Sequence, residues 1–234
     1  MAESANIEPY EIKKFEELAK SWWDPEGPMR SLHAINPLRL NFIREETSLR
    51  GKKILDIGCG VGLLTEALAR EGAHVIGIDP SSELLEVARQ HARMNGLEIN
   101  YRLIDSEQMA KEQAHDFDLV TCMEVLEHVP EPTRVLGAIS KLLTPAGHAY
   151  ISTLDRSVKS LLFAIAGGEY ILRLLPKGSH TYQKLIRPAE LRQWANQNGL
   201  IFRRMAGLIY NPFRNQFSLV KRAEINYMMD FIRS

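Results

Sequence analysis

Two groups of residues in this 234-residue sequence have types and spacings suited to chemistry. The first is Leu55-Asp56-Ile57-Gly58-Cys59-Gly60-Val61-Gly62, with Asp79 following 21 positions after Gly58. Glycines at the exit of a strand let the backbone turn sharply and approach a ligand without a Cβ in the way. An aspartate ending the next strand can accept hydrogen bonds from both hydroxyls of a ribose. Taken together the two features predict a nucleoside site; taken singly they are a tight turn and a helix cap. Gly58, Gly60 and Gly62 run straight into Leu63 and Leu64, which is not the spacing that closes a helix onto a pyrophosphate. The loop suits S-adenosylmethionine, a nucleoside donor without phosphate. Asp56 is then placed to meet the cationic amino end of its methionine. Asp105 and Ser106, after a third strand, either read the adenine edge or cap a helix.

The second group is Met123-Glu124-Val125-Leu126-Glu127-His128. If Glu124 opens a helical turn, Glu127 and His128 stand at i+3 and i+4 on its face. Two carboxylates and an imidazole form a hard ligand set for Mg²⁺ or another divalent metal, with positions left for two vicinal oxygens of a substrate. His128 can instead act as a general base with no metal, or all three can be structural. A phenol titrates near pH 10 and is a weak nucleophile at neutral pH, so O-methylation needs such help. Met123 is expected against the adenosine.

Positioning these groups takes an alternating fold. Ile54–Ile57, His74–Asp79, Tyr101–Ile104, Phe117–Met123 and His148–Thr153 are short apolar runs read as strands. Between them lie amphipathic helical patterns, among them Ser82–Asn95 and Thr133–Leu143. Such alternation implies an α/β doubly wound, mostly parallel sheet. A helix over Ala189–Asn198 precedes two further strands, Leu200–Tyr210 and Gln216–Lys221, read as an antiparallel hairpin that completes seven strands. Two helices come first: one over Glu8–Trp23, and one opening at Asn36-Pro37 and closing near Gly51. The expected divisions are 1–50 for the N-terminal helices, 51–155 for the donor-binding core, 156–184 for an insert and 185–234 for the remainder of the same domain.

Composition narrows the function. Hydrophobic residues are 45% and charged residues 25%, with 29 basic against 29 acidic side chains, so nothing favours a nucleic-acid partner. Two cysteines make no disulfide framework. Met1–Tyr10 lacks the features of a targeting peptide, and no apolar run reaches the roughly 20 residues that span a bilayer. A cytoplasmic location is expected.

Beyond the donor loop, the sequence resembles the ubiquinone-biosynthesis O-methyltransferases over nearly its whole length. The resemblance rests on Phe15–Trp23, His33-Ala34-Ile35-Asn36-Pro37-Leu38-Arg39, Cys122–Val129, Gly168–Arg173, Pro176-Lys177-Gly178 and Tyr210-Asn211-Pro212. It implies the class I methyltransferase fold and donor contacts at Arg39, Gly58, Asp79 and Met123. It also implies metal assistance through the intact Glu-x-x-Glu-His element, and a polyprenylated phenol as acceptor. Where the family often reads Gly-Gly-Gly, this chain has Val61 in the middle, between Gly60 and Gly62. The resemblance further implies that the insert, with Leu161, Leu162 and Phe163 bordered by Lys159, Arg173, Lys177 and Lys184, lies on the inner membrane as an interfacial segment. A place in a ubiquinone-biosynthesis complex follows from the same resemblance. The competing readings are a methyltransferase for another small metabolite, a donor-binding subunit without turnover, and a dehydrogenase.

Overall fold

The computed structural model describes residues 6–156, 184–211, 214–223 and 225–234. Apart from its two end residues, the expected membrane insert 156–184 lies outside them, as does Pro212 of the expected turn.

The chain opens with α1 (Pro9–Glu16), a 3₁₀ turn (Ala19–Ser21) and α2 (Arg30–Arg44). The single helix expected over Glu8–Trp23 therefore stops at Glu16, and α2 begins seven residues before Pro37 instead of at it. Pro37 removes only the bond that would reach the His33 carbonyl. Around it, the Asn36 side chain donates to the Leu63 carbonyl at 3.0 Å, and Ile35, Phe42 and Ile43 bury the inner face.

Five parallel strands follow with their crossover helices: β1 (Lys53–Ile57), α3 (Leu63–Arg70), β2 (His74–Asp79), α4 (Ser82–Met94), β3 (Asn100–Leu103), α5 (Ser106–Glu112), β4 (Phe117–Met123), a 3₁₀ turn (Leu126–His128), α6 (Pro132–Leu142) and β5 (Leu143–Leu154). Then come α7 (Pro188–Gln197), β6 (Leu200–Asn211), β7 (Gln216–Val220) and β8 (Asn226–Arg233). The described strands form one sheet in the order β3-β2-β1-β4-β5-β8-β6-β7.

The doubly wound class is as expected, but the antiparallel part differs. The expected hairpin exists as β6 and β7, pairing Gly207 with Val220 through Asn211 with Gln216, and it forms the edge of the sheet. The strand that joins it to β5 is β8, antiparallel to both neighbours, which raises the strand count to eight. Asp230 interrupts the apolar run of β8, and that is why the segment does not read as a buried strand. In the fold its carboxylate is matched by His148 Nδ1 at 2.9 Å.

Both faces of the sheet are covered, and the strands alternate accordingly. Leu55 and Ile57 of β1 meet Leu136 and Ile139 of α6 and Leu191 of α7. Ile54 faces the other way, toward Phe42 and Ile43 of α2 and Leu64 and Leu68 of α3. Each fully buried side chain of this size contributes roughly 2 kcal/mol by removal from water. The strand order reverses between β1 and β4, and ligands of such sheets bind in the crevice beyond the carboxyl ends of the strands at that point.

Candidate active site

A cleft opens at this switch point. Its floor is the loop after β1, where Gly58, Gly60 and Gly62 have φ values of +67°, +54° and +86°. A Cβ on Gly58 would sit 2.3 Å from Val125 Cγ2, so the loop can pass under the β4 exit only because the residue is glycine. The Gly58 and Cys59 amides donate to the Ile78 carbonyl at 2.9 and 3.0 Å, tying the loop to the end of β2.

Asp79, at that end, accepts from the Gly60 amide at 3.0 Å and the Ser81 amide at 2.9 Å. Burial raises its carboxyl to about 6 against these two bonds. Each carboxylate oxygen keeps a lone pair for another donor. Asp56 is 3% exposed and accepts from the hydroxyls of Thr65 and Thr121, each at 2.6 Å, while burial pushes its carboxyl up. Met123, Gly58, Gly60, Asp56 and Asp79 all line the cleft. Asp105 and Ser106 do not line it. The Asp105 carboxylate caps α5 instead, accepting from the Gln108 amide at 2.8 Å.

Arg39, on α2, also lines the cleft, 5% exposed, and donates to Glu124. Burial pulls its guanidinium down to about 10, opposed by Asp56 and Glu127. Its Nε has no partner, a buried donor on the wall of a cleft that fits an anionic group such as the carboxylate of a methionine. That orphan, with the glycine loop and Asp79, matches the donor set that S-adenosylmethionine needs.

The three side chains expected to converge on a metal do not do so. Glu124 has φ +52°, a left-handed turn that breaks the helical register on which the convergence depended. Its Oε1 accepts from Ser152 at 2.6 Å and Asn226 at 3.0 Å, and its Oε2 from Arg39. Glu127 is turned inward at 1% exposure, outside the cleft lining, where Thr153 donates to Oε2 at 2.8 Å and burial raises the carboxyl to about 7. His128 lines the cleft, its ring edge-on to Phe15 at 5.2 Å. Among the described residues no group of three or more His, Cys, Asp or Glu is arranged to hold a metal ion. Burial, with Lys184 and Lys14 nearby, depresses the His128 imidazolium to about 4, so the ring is neutral at pH 7.

The roof of the cleft is α1 and the segment before it, with Ile7, Glu8, Glu11, Ile12 and Phe15 facing in. Asn6 holds this segment by a reciprocal pair with the Glu131 backbone, both bonds 2.9 Å. Glu8 accepts from Lys184 at 2.6 Å, and Glu11 Oε2 lies 3.2 Å from His128 Nδ1. The sequence gives no signal for these contacts, since Glu11 and His128 are 117 residues apart.

Among the described residues no helix is long and apolar enough to cross a membrane. The family model described as a methyltransferase domain matches residues 14–202. The chain is 49% identical over 226 residues to a ubiquinone biosynthesis O-methyltransferase of Methylococcus capsulatus, covering 97% of this chain and 95% of that one. It is 51% identical over 223 residues to the protein of that name from Nitrosococcus oceani, covering 95% and 94%. Its fold is similar to that of the magnesium protoporphyrin IX methyltransferase of Synechocystis with bound SAH, at a TM-score of 0.68, 20% identity and 96% of each chain. With this cleft at the sheet's switch point, the chain belongs to the family of ubiquinone biosynthesis O-methyltransferases, S-adenosylmethionine-dependent enzymes of the class I fold.

Proposed function

We propose that this enzyme methylates a ring hydroxyl of polyprenylated catechol or hydroxyphenol intermediates, of the kind of 2-polyprenyl-6-hydroxyphenol and 3-demethylubiquinol, with His128 receiving the phenolic proton. The observation that carries the reading is the His128 imidazole on the wall of the same cleft that holds Asp79, the glycine loop and Arg39.

The bound donor supplies an electrophilic sulfonium methyl group. Asp79 holds the ribose hydroxyls through its remaining lone pairs, and Arg39 Nε binds the methionine carboxylate. Asp56 faces the cationic amino group, and Met123 packs beside the adenosine. His128 takes the proton as the phenolic oxygen attacks the methyl group; with the imidazole held at about 4, this transfer accompanies methyl transfer and does not precede it. Fixing the two reactants in line supplies much of the remainder.

Residues 156–184 are proposed to rest on the inner membrane, leaving the polyprenyl tail in lipid while the ring enters the cleft. Their support is the apolar run bordered by lysines and arginines. A divalent metal on Glu124, Glu127 and His128 is the second reading, favoured by one observation: Glu127 Oε1 is buried without a partner. It requires Glu124 to leave Arg39 and Glu127 to turn.

The test is methyl transfer from S-adenosylmethionine to a catechol with one isoprenyl unit, with and without chelator and in His128→Gln. Transfer that persists in chelator within about twofold and is lost in His128→Gln is the expected result when His128 receives the proton. No transfer at all would overturn the reaction; loss in chelator restored by Mg²⁺ would replace the direct base by the metal.

A further inference from the structure

We infer that Asn226 is a specificity-determining residue: its side-chain carbonyl accepts a hydrogen bond from the ring hydroxyl next to the one that is methylated, and so selects acceptors with two adjacent hydroxyls. This rests on the proposed catechol acceptor.

Asn226 opens β8 and lines the cleft at 8% exposure. Its Nδ2 donates to Glu124 Oε1 at 3.0 Å, and Ser152 Oγ donates to the same oxygen at 2.6 Å. The other oxygen of that carboxylate takes the Arg39 guanidinium. The three side chains set against Glu124 all donate, so the amide presents its nitrogen there and its carbonyl is turned away. Asn226 Oδ1 is buried with no partner among the described residues. The other amide lining the cleft, Asn6, contrasts with it, because the Glu131 backbone satisfies both its branches. A buried acceptor without a donor is costly, and native structures keep few of them. A ligand that brings a donor to this point recovers that cost.

Position in the sheet says which ligand this is. Gly58 and Gly60 follow β1 and Asp79 ends β2, whereas Asn226 lies three strands from β1, across β4 and β5. At about 4.8 Å per strand that is roughly 14 Å of sheet. Because β8 runs antiparallel, its first residue stands at the carboxyl edge of the parallel strands, opposite Leu154 at the end of β5. Leu154 lines the cleft too, so Asn226 sets one polar acceptor beside an apolar wall. Such sparse polar groups orient a ligand in an otherwise apolar pocket.

An oxygen acceptor cannot receive the methionine carboxylate, and the ribose hydroxyls belong with Asp79, four strands away. A phenolic hydroxyl fits: the one on the adjacent ring carbon keeps its proton while its neighbour is methylated. The methionine amino group is the other donor to be separated from it.

The experiment measures dissociation constants by calorimetry on the full chain loaded with S-adenosylhomocysteine, so no turnover is needed. The ligands are the mono-isoprenyl catechol and the mono-isoprenyl phenol that lacks the adjacent hydroxyl. The proteins are wild type, Asn226→Ala, Asn226→Leu and Ser152→Ala, and methyl transfer to the catechol is followed alongside. Wild type is expected to bind the catechol about tenfold more tightly than the phenol, which leaves Oδ1 unpaired. In Asn226→Ala, and in Asn226→Leu, which retains the side-chain bulk, the two ligands should bind within about twofold of each other. Ser152→Ala removes a different donor to Glu124 Oε1 and leaves the Asn226 carbonyl in place, so it should keep the preference.

Equal binding of the two ligands by wild type overturns the inference without recourse to any variant. So does a preference that survives in both Asn226 variants, or one lost equally in Ser152→Ala, which would make Asn226 only a support for Glu124. If the Asn226 variants weaken S-adenosylhomocysteine and keep the catechol preference, Oδ1 serves the methionine amino group and the inference fails. If wild type neither binds nor methylates the catechol, the proposed acceptor fails and takes this inference with it. If it methylates the catechol and the preference does not depend on Asn226, only the role of Asn226 fails.

Discussion

Arg39 and Glu124 form an ion pair across the cleft, joining α2 to the exit of β4, with 6% and 16% of their side chains exposed. Each is the other's nearest opposite charge, so a residue expected to hold the donor and a residue expected to bind metal depend on one another. Removing one partner of a buried pair leaves an uncompensated charge at a cost of roughly 3 kcal/mol. Glu124→Ala should therefore lower the unfolding free energy by about 3 kcal/mol, whereas Arg39→Leu with Glu124→Leu should recover most of that loss. Urea unfolding of the two single variants and the double variant measures this coupling. Additive losses would mean that the pair contributes nothing.

Donor affinity should depend on pH through Asp79. Its carboxyl is raised to about 6 by burial, and the ribose hydroxyls need the ionised form as acceptor. As pH falls through about 6, protonation competes with binding and Kd for S-adenosylmethionine should rise, approaching tenfold per pH unit. Calorimetric titration from pH 7.5 to 5 tests this. In Asp79→Asn affinity should be weak throughout and lose that slope.

The acid limb of the reaction should lie low. An ordinary histidine titrates near 6.5, but burial holds His128 at about 4, so kcat should stay level from pH 7 to near pH 5. A limb at pH 6.5 would show that the imidazole is not shielded as described. Stability has the same sign. Between about pH 6.5 and 4 the unfolded chain takes up the proton and the folded chain does not, so the His128 contribution falls as pH falls through that window.

Gly58→Ala should destabilise the donor loop for two reasons. Its φ of +67° disfavours a side chain, and the added Cβ meets Val125 Cγ2 at 2.3 Å. A loss of about 2 kcal/mol is expected, with weaker donor binding. Adding Val125→Ala should restore only the steric part, which thermal unfolding of the single and double variants reads directly.

The parallel half of the sheet was legible because β1, β2 and β4 are short apolar runs set off by glycines and helix-period segments. The cleft position of Gly58, Gly60 and Asp79 was legible for a related reason: they stand where strands end, at fixed places in the chain. What was not legible depends on distance in sequence. Glu124 and Glu127 read as neighbours on one helical face, but a left-handed φ at Glu124 sends it to Arg39 and leaves Glu127 with Thr153. Asp230 hid β8 for want of a visible partner, and nothing in residues 6–16 signals that they roof the cleft.

β8 follows β6 in the chain yet sits between β5 and β6. Until it is inserted, both neighbours have open edges able to pair with other chains. Glu124 also lacks Asn226, the first residue of β8, which donates to its Oε1 at 3.0 Å. The step that closes the sheet is thus the step that completes the wall beside the donor. A partly folded chain would be both prone to aggregate and unable to hold Arg39 and Glu124 in register. Acquisition of donor binding during refolding should coincide with burial of β8, making the cofactor a reporter of finished assembly.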